Sequence, residues 1–402
     1  MGEGASLPSG NSEFISKVLA TRSSACREPS RSLECARRHN VPADGTGDTS
    51  IHMQEDAPLQ ALMLPFENGA LRWPPQGGAL FLRARDGWPL HARPLPGLVT
   101  WQPFRPDADA LQRGGFDLTD DAAAGGFPLV LLLPPRQRDE LRALFACAFD
   151  ACSEGGTVLA CAANDAGAKS AEADLRKLAG GLDGSLSKHH CRVFWARKDD
   201  ARVDAALLAD WRQRDAPRRI AAPQLPQGGF HSRPGVFAWD RIDPASALLA
   251  AHLPTDLRGH GADLGAGWGY LSLQLLARNP QVQALDLYEA DARALELARR
   301  NLGEAGSEAT LEYHWHDVTT GLPRAYDFIV SNPPFHTHDR ADRPELGQRF
   351  IAVAAQALRK GGRLYLVANR HLPYEAALAS GFGRVRVLAQ QDGFKVVEAV
   401  RS

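Results

Sequence analysis

The strand-like run Tyr326 to Ser331 ends in Asn332-Pro333-Pro334-Phe335. Proline after Asn332 biases that residue to extended backbone and removes a donor N–H. Two acceptors remain at the turn, the Asn332 side-chain oxygen and the Pro333 carbonyl. They suit an exocyclic amine, which carries two N–H donors. Such an amine on a nucleobase is a poor nucleophile, because its lone pair is delocalised into the ring. Holding both hydrogens draws the nitrogen toward a tetrahedral shape and aims the lone pair at a methyl donor, through positioning and electrostatic preorganisation. Phe335 offers a face on which a flipped or single-stranded base stacks. The proton becomes acidic once the methyl arrives, so the scheme needs neither a metal nor a strong base. A rigid turn with an Asx hydrogen bond is the plainer reading of the same four residues.

What lies upstream favours chemistry. Gly261 to Ser272 runs from a short strand into a helix through Asp263-Leu264-Gly265-Ala266-Gly267-Trp268-Gly269. The glycines clear a tight turn at a helix N-terminus, where a ligand can approach the backbone. Their spacing is Gly-x-Gly-x-Gly with Asp263 just ahead, unlike the pyrophosphate fingerprint Gly-x-Gly-x-x-Gly. The next strand, Val282 to Tyr288, ends in Glu289, placed to accept both hydroxyls of a ribose. A third strand, Leu311 to His316, ends in Asp317, an acceptor for an adenine amino group. A loop for a small cationic ligand, a ribose carboxylate and an adenine contact, in that order, are what S-adenosylmethionine needs. The cofactor set is therefore Asp263, Gly265, Ala266, Gly267, Gly269, Glu289, Asp317 and Asn332, the last also meeting the amine. His336 and His338 are read as ordinary loop histidines, and no metal site is expected.

The elements that must carry these residues fill a chain of 402 residues, long enough for two full-sized domains. Hydrophobic residues at 44% and charged ones at 23% match a globular protein, which excludes wholesale disorder. No apolar run is long enough to span a bilayer, and the start has no apolar core of a secretory signal. A net charge of −1 argues against a protein that coats nucleic acid, so such a partner must be met by local patches or a shaped pocket. Six cysteines without a CxxC pair read as free thiols in a reducing cytosol.

Residues 1–52 are polar and aperiodic, and are expected to be a disordered extension or sequence before the true start. Residues 53–205 read as one domain, 206–229 as a linker rich in Arg, Pro and Gln, and 230–402 as an α/β domain with a parallel sheet. The two halves echo each other. Phe127 to Pro135 is a strand into a double proline, followed by a helix (Arg138 to Ala151), Gly155-Gly156 and a strand. Tyr326 to Pro334 is followed by a helix (Glu345 to Leu358), Gly361-Gly362 and a strand. Duplication of one domain explains this. Leu132-Leu133 stands where the second copy has Ser331-Asn332, and no counterpart of the glycine turn is evident between Leu59 and Gly126. The first copy has lost its chemistry.

At this point the second half resembles the ribosomal RNA small subunit methyltransferase C family of class I S-adenosylmethionine-dependent enzymes, which methylate guanine N2. The resemblance is carried by Arg233-Pro-Gly-Val-Phe237 with Asp243, Asp263 to Gly267, Ser331 to His336, Ala368-Asn369, Leu372-Pro-Tyr374 and Gly393-Phe-Lys-Val396. A weaker match extends to Lys169-Ser-Ala-Glu172 and His190 to Phe194. It implies an α/β fold of two tandem Rossmann-like class I methyltransferase domains, the first degenerate. It also implies S-adenosylmethionine as cofactor, and ribosomal RNA or the assembled small ribosomal subunit as partner, with 16S the expected RNA. By that resemblance, Asn332, Pro333, Pro334 and Phe335 hold the guanine. A monomer in the cytoplasm, with no membrane partner, is expected. Trp268 is bulkier than the pattern leads one to expect. Large-subunit guanine N2, adenine N6 and a protein glutamine amide remain open as substrates, as does a binding module on a vestigial fold.

Overall fold

A computed structural model describes residues 56–334 and 344–402. The expectations for 1–52, Phe335, His336 and His338 lie outside the described residues. Strands β1 (Ala79–Leu82), β2 (Leu98–Trp101), β3 (Asp117–Leu118), β4 (Phe127–Leu132), β5 (Cys152–Ala163), β6 (Gly184–Lys188) and β7 (Cys191–Arg197) form one sheet, ordered β3-β2-β1-β4-β5-β7-β6. After a hairpin of β8 (Arg218–Ala221) and β9 (Gly229–Ser232), a second sheet follows. Its strands are β10 (Gly259–Leu264), β11 (Val282–Glu289), β12 (Thr310–Trp315), β13 (Tyr326–Ser331), β14 (Leu358–Asn369), β15 (Arg384–Gln391) and β16 (Phe394–Val400). Their order, β12-β11-β10-β13-β14-β16-β15, repeats the first sheet strand for strand. In each, five strands run parallel and the last two pair antiparallel.

The sequence dictates this layering. Runs such as Val130 to Leu132 and Phe328 to Val330 are apolar without alternation, because both faces of a parallel sheet are covered. Helices such as Arg138–Ala151 and Pro344–Ala357 bury one stripe each against those faces. The predicted pair of tandem Rossmann-like domains is what the chain forms. Among the described residues no helix is long and apolar enough to cross a membrane.

The stretch 206–229, expected to link the two domains, has secondary structure of its own. It carries all but the first residue of the helix Ala205–Arg212, with Trp211 buried, and β8, which pairs with β9 at its far end, a strand buried throughout. Its arginine side chains are exposed, yet each has a partner. Arg212 binds Asp150, Arg214 binds Asp210, Arg219 binds Glu304, and the Arg218 guanidinium covers the Trp239 ring.

Register shows what the first copy lost. Leu82 pairs with Trp101 and Leu132, as Leu264 pairs with Tyr288 and Ser331. The residues that follow therefore correspond: Arg83 to Gly265, Gln102 to Glu289 and Leu133 to Asn332. An arginine stands at the place of the first glycine of the turn, a neutral amide at that of the strand-end acid, and an apolar side chain at that of Asn332.

The two sheets meet through equivalent segments. Phe104 and Asp291, each two residues beyond the strand-end acid or amide, form an antiparallel bridge. The Arg105 N–H donates to the Ala290 carbonyl at 2.8 Å, and Ala292 N–H to Pro103 at 3.0 Å, a reciprocal exchange about a local two-fold. Trp315 Nε1 donates to both Pro103 and Ala290, and the Arg105 guanidinium covers its ring. Nearby, buried Glu140 accepts from Arg83 of its own domain and from Arg293 of the other.

Candidate active site

Gly265, Gly267 and Gly269 have φ of 74°, 56° and 93°, a region that strains any L side chain. The turn is held from below. The Gly265 and Ala266 N–H groups both donate to the Tyr288 carbonyl, and Gly269 N–H donates to Ala266. Gly269 leads directly into the helix Tyr270–Arg278, where an added Cβ would crowd Ala298 at 3.3 Å. A Cβ on Gly267 would meet nothing within 4 Å, so that face of the turn is open. Trp268, unexpectedly large for this loop, points away from the opening. Its ring stacks on Phe230 at 3.8 Å and is buried there.

The three acids stand around this turn with different attachments. Asp263 is wholly buried beneath it. Oδ2 accepts from Ser272 Oγ at 2.7 Å, while Oδ1 has no hydrogen-bond partner among the described residues. Burial pushes its carboxyl up to about 7, against the Ser272 hydrogen bonds that pull it down. Glu289, the last residue of β11, accepts the Gly267 N–H at 2.7 Å on one oxygen and the Asp291 N–H at 2.8 Å on the other. Burial raises it too, to about 7, opposed by those backbone donors. Each oxygen keeps a lone pair for a further hydroxyl. Asp317 follows β12 and caps a short turn, with Oδ1 accepting from both the backbone and the hydroxyl of Thr319. The His316 N–H donates to the Glu289 carbonyl, which ties the two acid-bearing strand ends together.

Asn332 sits beside the glycine turn. The preceding Ser331 hydroxyl donates to the Leu264 carbonyl at 2.8 Å, and a Cβ on Gly265 would lie 3.9 Å from the Asn332 carbonyl oxygen. Asn332 Nδ2 donates to Asp243 Oδ2 at 3.0 Å and Ser246 Oγ at 2.8 Å. Its Oδ1 is buried with no hydrogen-bond partner among the described residues. Orphaned buried acceptors are costly and rare, so one at the end of a central strand calls for a donor from outside. Asp263, Gly265, Ala266, Gly267, Gly269, Glu289, Asp317, Asn332, Pro333 and Pro334 thus converge on the carboxyl ends of β10 to β13, where open α/β sheets take their ligands.

Sequence reasoning gave no role to Asp243, Ser246 or Ser272. The Asp-x-x-Ser spacing before a helix was a legible capping signal, but nothing linked it to a turn 86 residues away.

Residues 227–398 match the family model of the methyltransferase small domain. The ribosomal RNA small subunit methyltransferase C of Pseudomonas aeruginosa (strain UCBPP-PA14) is 33% identical over 320 residues, covering 79% of this chain and 89% of that protein. Its counterpart in Psychromonas ingrahamii is 28% identical over 274 residues, or 68% and 76% of the two chains. Among solved structures, the T. thermophilus 16S rRNA N2 methyltransferase in complex with AdoMet and guanosine aligns with a TM-score of 0.72. It is 25% identical, and the match covers 87% of this chain and 93% of that one.

Proposed function

We propose that this chain, which belongs to the ribosomal RNA small subunit methyltransferase C family, methylates the exocyclic N2 amine of a guanine in 16S ribosomal RNA. The observation that carries the reading is the Asn332 amide: its donor side is fully engaged and its acceptor side is buried, orphaned and adjacent to the glycine turn.

The residues present fit S-adenosylmethionine. The open face at Gly267 would cradle it, Asp263 beneath would offer an oxygen that has no partner among the described residues, and Glu289 and Asp317 would supply acceptors for the ribose and adenine. When bound, that cofactor supplies an electrophilic methyl on a sulfonium. The chain's own residues do the rest. Asn332 Oδ1 and the Pro333 carbonyl accept the two amine hydrogens and hold the nitrogen lone pair toward the methyl. The acceptors also stabilise positive charge as it develops on nitrogen, and one proton leaves for solvent after the transfer. Phe335 supports the ring of the base by stacking. The substrate is ribosomal RNA or the assembled small subunit, approached by a monomer in the cytoplasm.

The test is nucleoside mass spectrometry of small subunits that lack the modification, incubated with protein and S-adenosylmethionine. N2-methylguanosine at one 16S site is the expected product. N6-methyladenosine, methylglutamine in a protein or no product at all would overturn the assignment.

A further inference from the structure

Asn332 presents its oxygen rather than its nitrogen only because something else decides which way the amide faces. We propose that Asp243 and Ser246 are positioning residues for the reaction, locking the Asn332 amide so that Oδ1 alone faces the amine. This rests on the reading of Asn332 as an acceptor given above.

The lock follows from donor and acceptor capacity. A carboxylate oxygen can only accept, and Asp243 Oδ2 already does so from the Ser246 N–H, so the atom facing it is the NH2 of Asn332. Its Oδ2 also accepts the Ser246 N–H at 2.8 Å, as the N-cap of the helix Pro244–His252. That bond fixes the carboxylate independently of Asn332. The Ser246 hydroxyl oxygen takes a second bond from Nδ2, so the amide is gripped from two sides. Leu249 and Ala250 of the same helix are buried in the core cluster that includes Tyr365, Val367 and Val396 of β14 and β16. The grip is therefore part of a rigid body.

The duplicated domain shows that folding does not require it. There the helix Ala57–Glu67 is again capped by an aspartate, with Asp56 accepting the Leu59 N–H at 3.0 Å. It packs against β5 and β7 as Pro244–His252 packs against β14 and β16. Asp56 corresponds to Asp243, Leu59 to Ser246 and Leu133 to Asn332. Both polar partners have become leucines in one buried apolar cluster, and Asp56 turns instead to Arg85. The cap survives in the copy without chemistry; the hydroxyl and the amide have disappeared together.

Asp243→Ser is the decisive variant. Because one oxygen, Oδ2, serves both the cap and Asn332, a capping asparagine would leave the lock in place. Serine caps a helix as well as aspartate, but its hydroxyl is donor and acceptor at once and so does not dictate which way the Asn332 amide faces. We expect the melting temperature and S-adenosylmethionine affinity to stay near wild type while kcat on small subunits falls about 10²-fold. Ser246→Ala should lose about tenfold in kcat and Ser246→Thr should restore most of it, because one hydrogen bond to the amide is removed and returned. If Asp243→Ser folds, binds cofactor and turns over within threefold of wild type, the lock is refuted. Asn332→Ala separates the two levels. An inactive Asn332→Ala beside an active Asp243→Ser overturns the positioning role alone. An active Asn332→Ala overturns the acceptor reading beneath it.

Discussion

Replacing Asp263 by asparagine separates the instability of a buried carboxylate from its use. The wild-type side chain has no exposure and faces no cation among its hydrogen-bond partners. Burial raises its carboxyl from 3.8 to about 7. Unfolded, the group gives up its proton near the lower value; folded, it keeps the proton to the higher one. Between them the folded state binds more protons, so stability falls as pH rises, and the full loss is present above neutral pH. A gap of about three pH decades corresponds to on the order of 4 kcal/mol. Asparagine keeps an oxygen for the Ser272 bonds and never ionises. Ligand-free Asp263→Asn should therefore equal wild type below about pH 4 and exceed it by up to ~4 kcal/mol at pH 8. Urea unfolding across that range, with wild type and variant in parallel, isolates the difference because every other group titrates in both. Calorimetry should show the opposite ranking for ligand. If Asp263 and Glu289 bind it as proposed, wild-type affinity for S-adenosylmethionine should rise with pH through about 7 as they ionise. The variant should lose at least about tenfold, the worth of a hydrogen bond to a charged group. An Asp263→Asn protein less stable than wild type at pH 8, or one that binds cofactor as tightly, would refute the reasoning.

Ser272→Ala removes the hydroxyl that holds the Asp263 pKa down, so the pH midpoint of cofactor binding should move upward; an unmoved calorimetric midpoint would contradict this. Gly267→Ala, at φ 56°, should cost about 1 kcal/mol of stability from backbone strain, while a methyl on the open face of the turn weakens cofactor binding far more. Equal losses in urea unfolding and calorimetry would argue against that face as the ligand side. Glu140→Gln leaves Arg83 and Arg293 sharing a neutral amide in a buried interface, and should destabilise the protein by about 3 kcal/mol in urea. A change near zero would show that the paired charges around Glu140 contribute nothing net.

Much of this architecture was legible because duplication writes the same punctuation twice. The double prolines after β4 and β13 mark corresponding strand ends, and register then identifies Leu133 with Asn332. The glycine turn and the three acids could be read because strand ends, glycines and carboxylates carry their geometry locally. Contacts between distant segments could not. The 206–229 stretch looked like a linker because its arginines are the visible residues, and most of their partners lie on other elements: Asp150, Glu304 and the ring of Trp239. Trp268 seemed misplaced because its stacking partner, Phe230, lies on another strand. Leu59 to Gly126 resisted reading because its strands are short, with β3 only two residues long.

The reciprocal bridge between Phe104 and Asp291 has a consequence for how such a chain can arise. A surface that meets its own duplicate about a two-fold is self-complementary and closes at two copies. Two separate polypeptides bearing it would assemble only as fast as they met, and would come apart on dilution. Joining them end to end makes the encounter internal, at an effective concentration set by the connecting segment. One half is then freed from having to work, provided it keeps the edge its twin leans on.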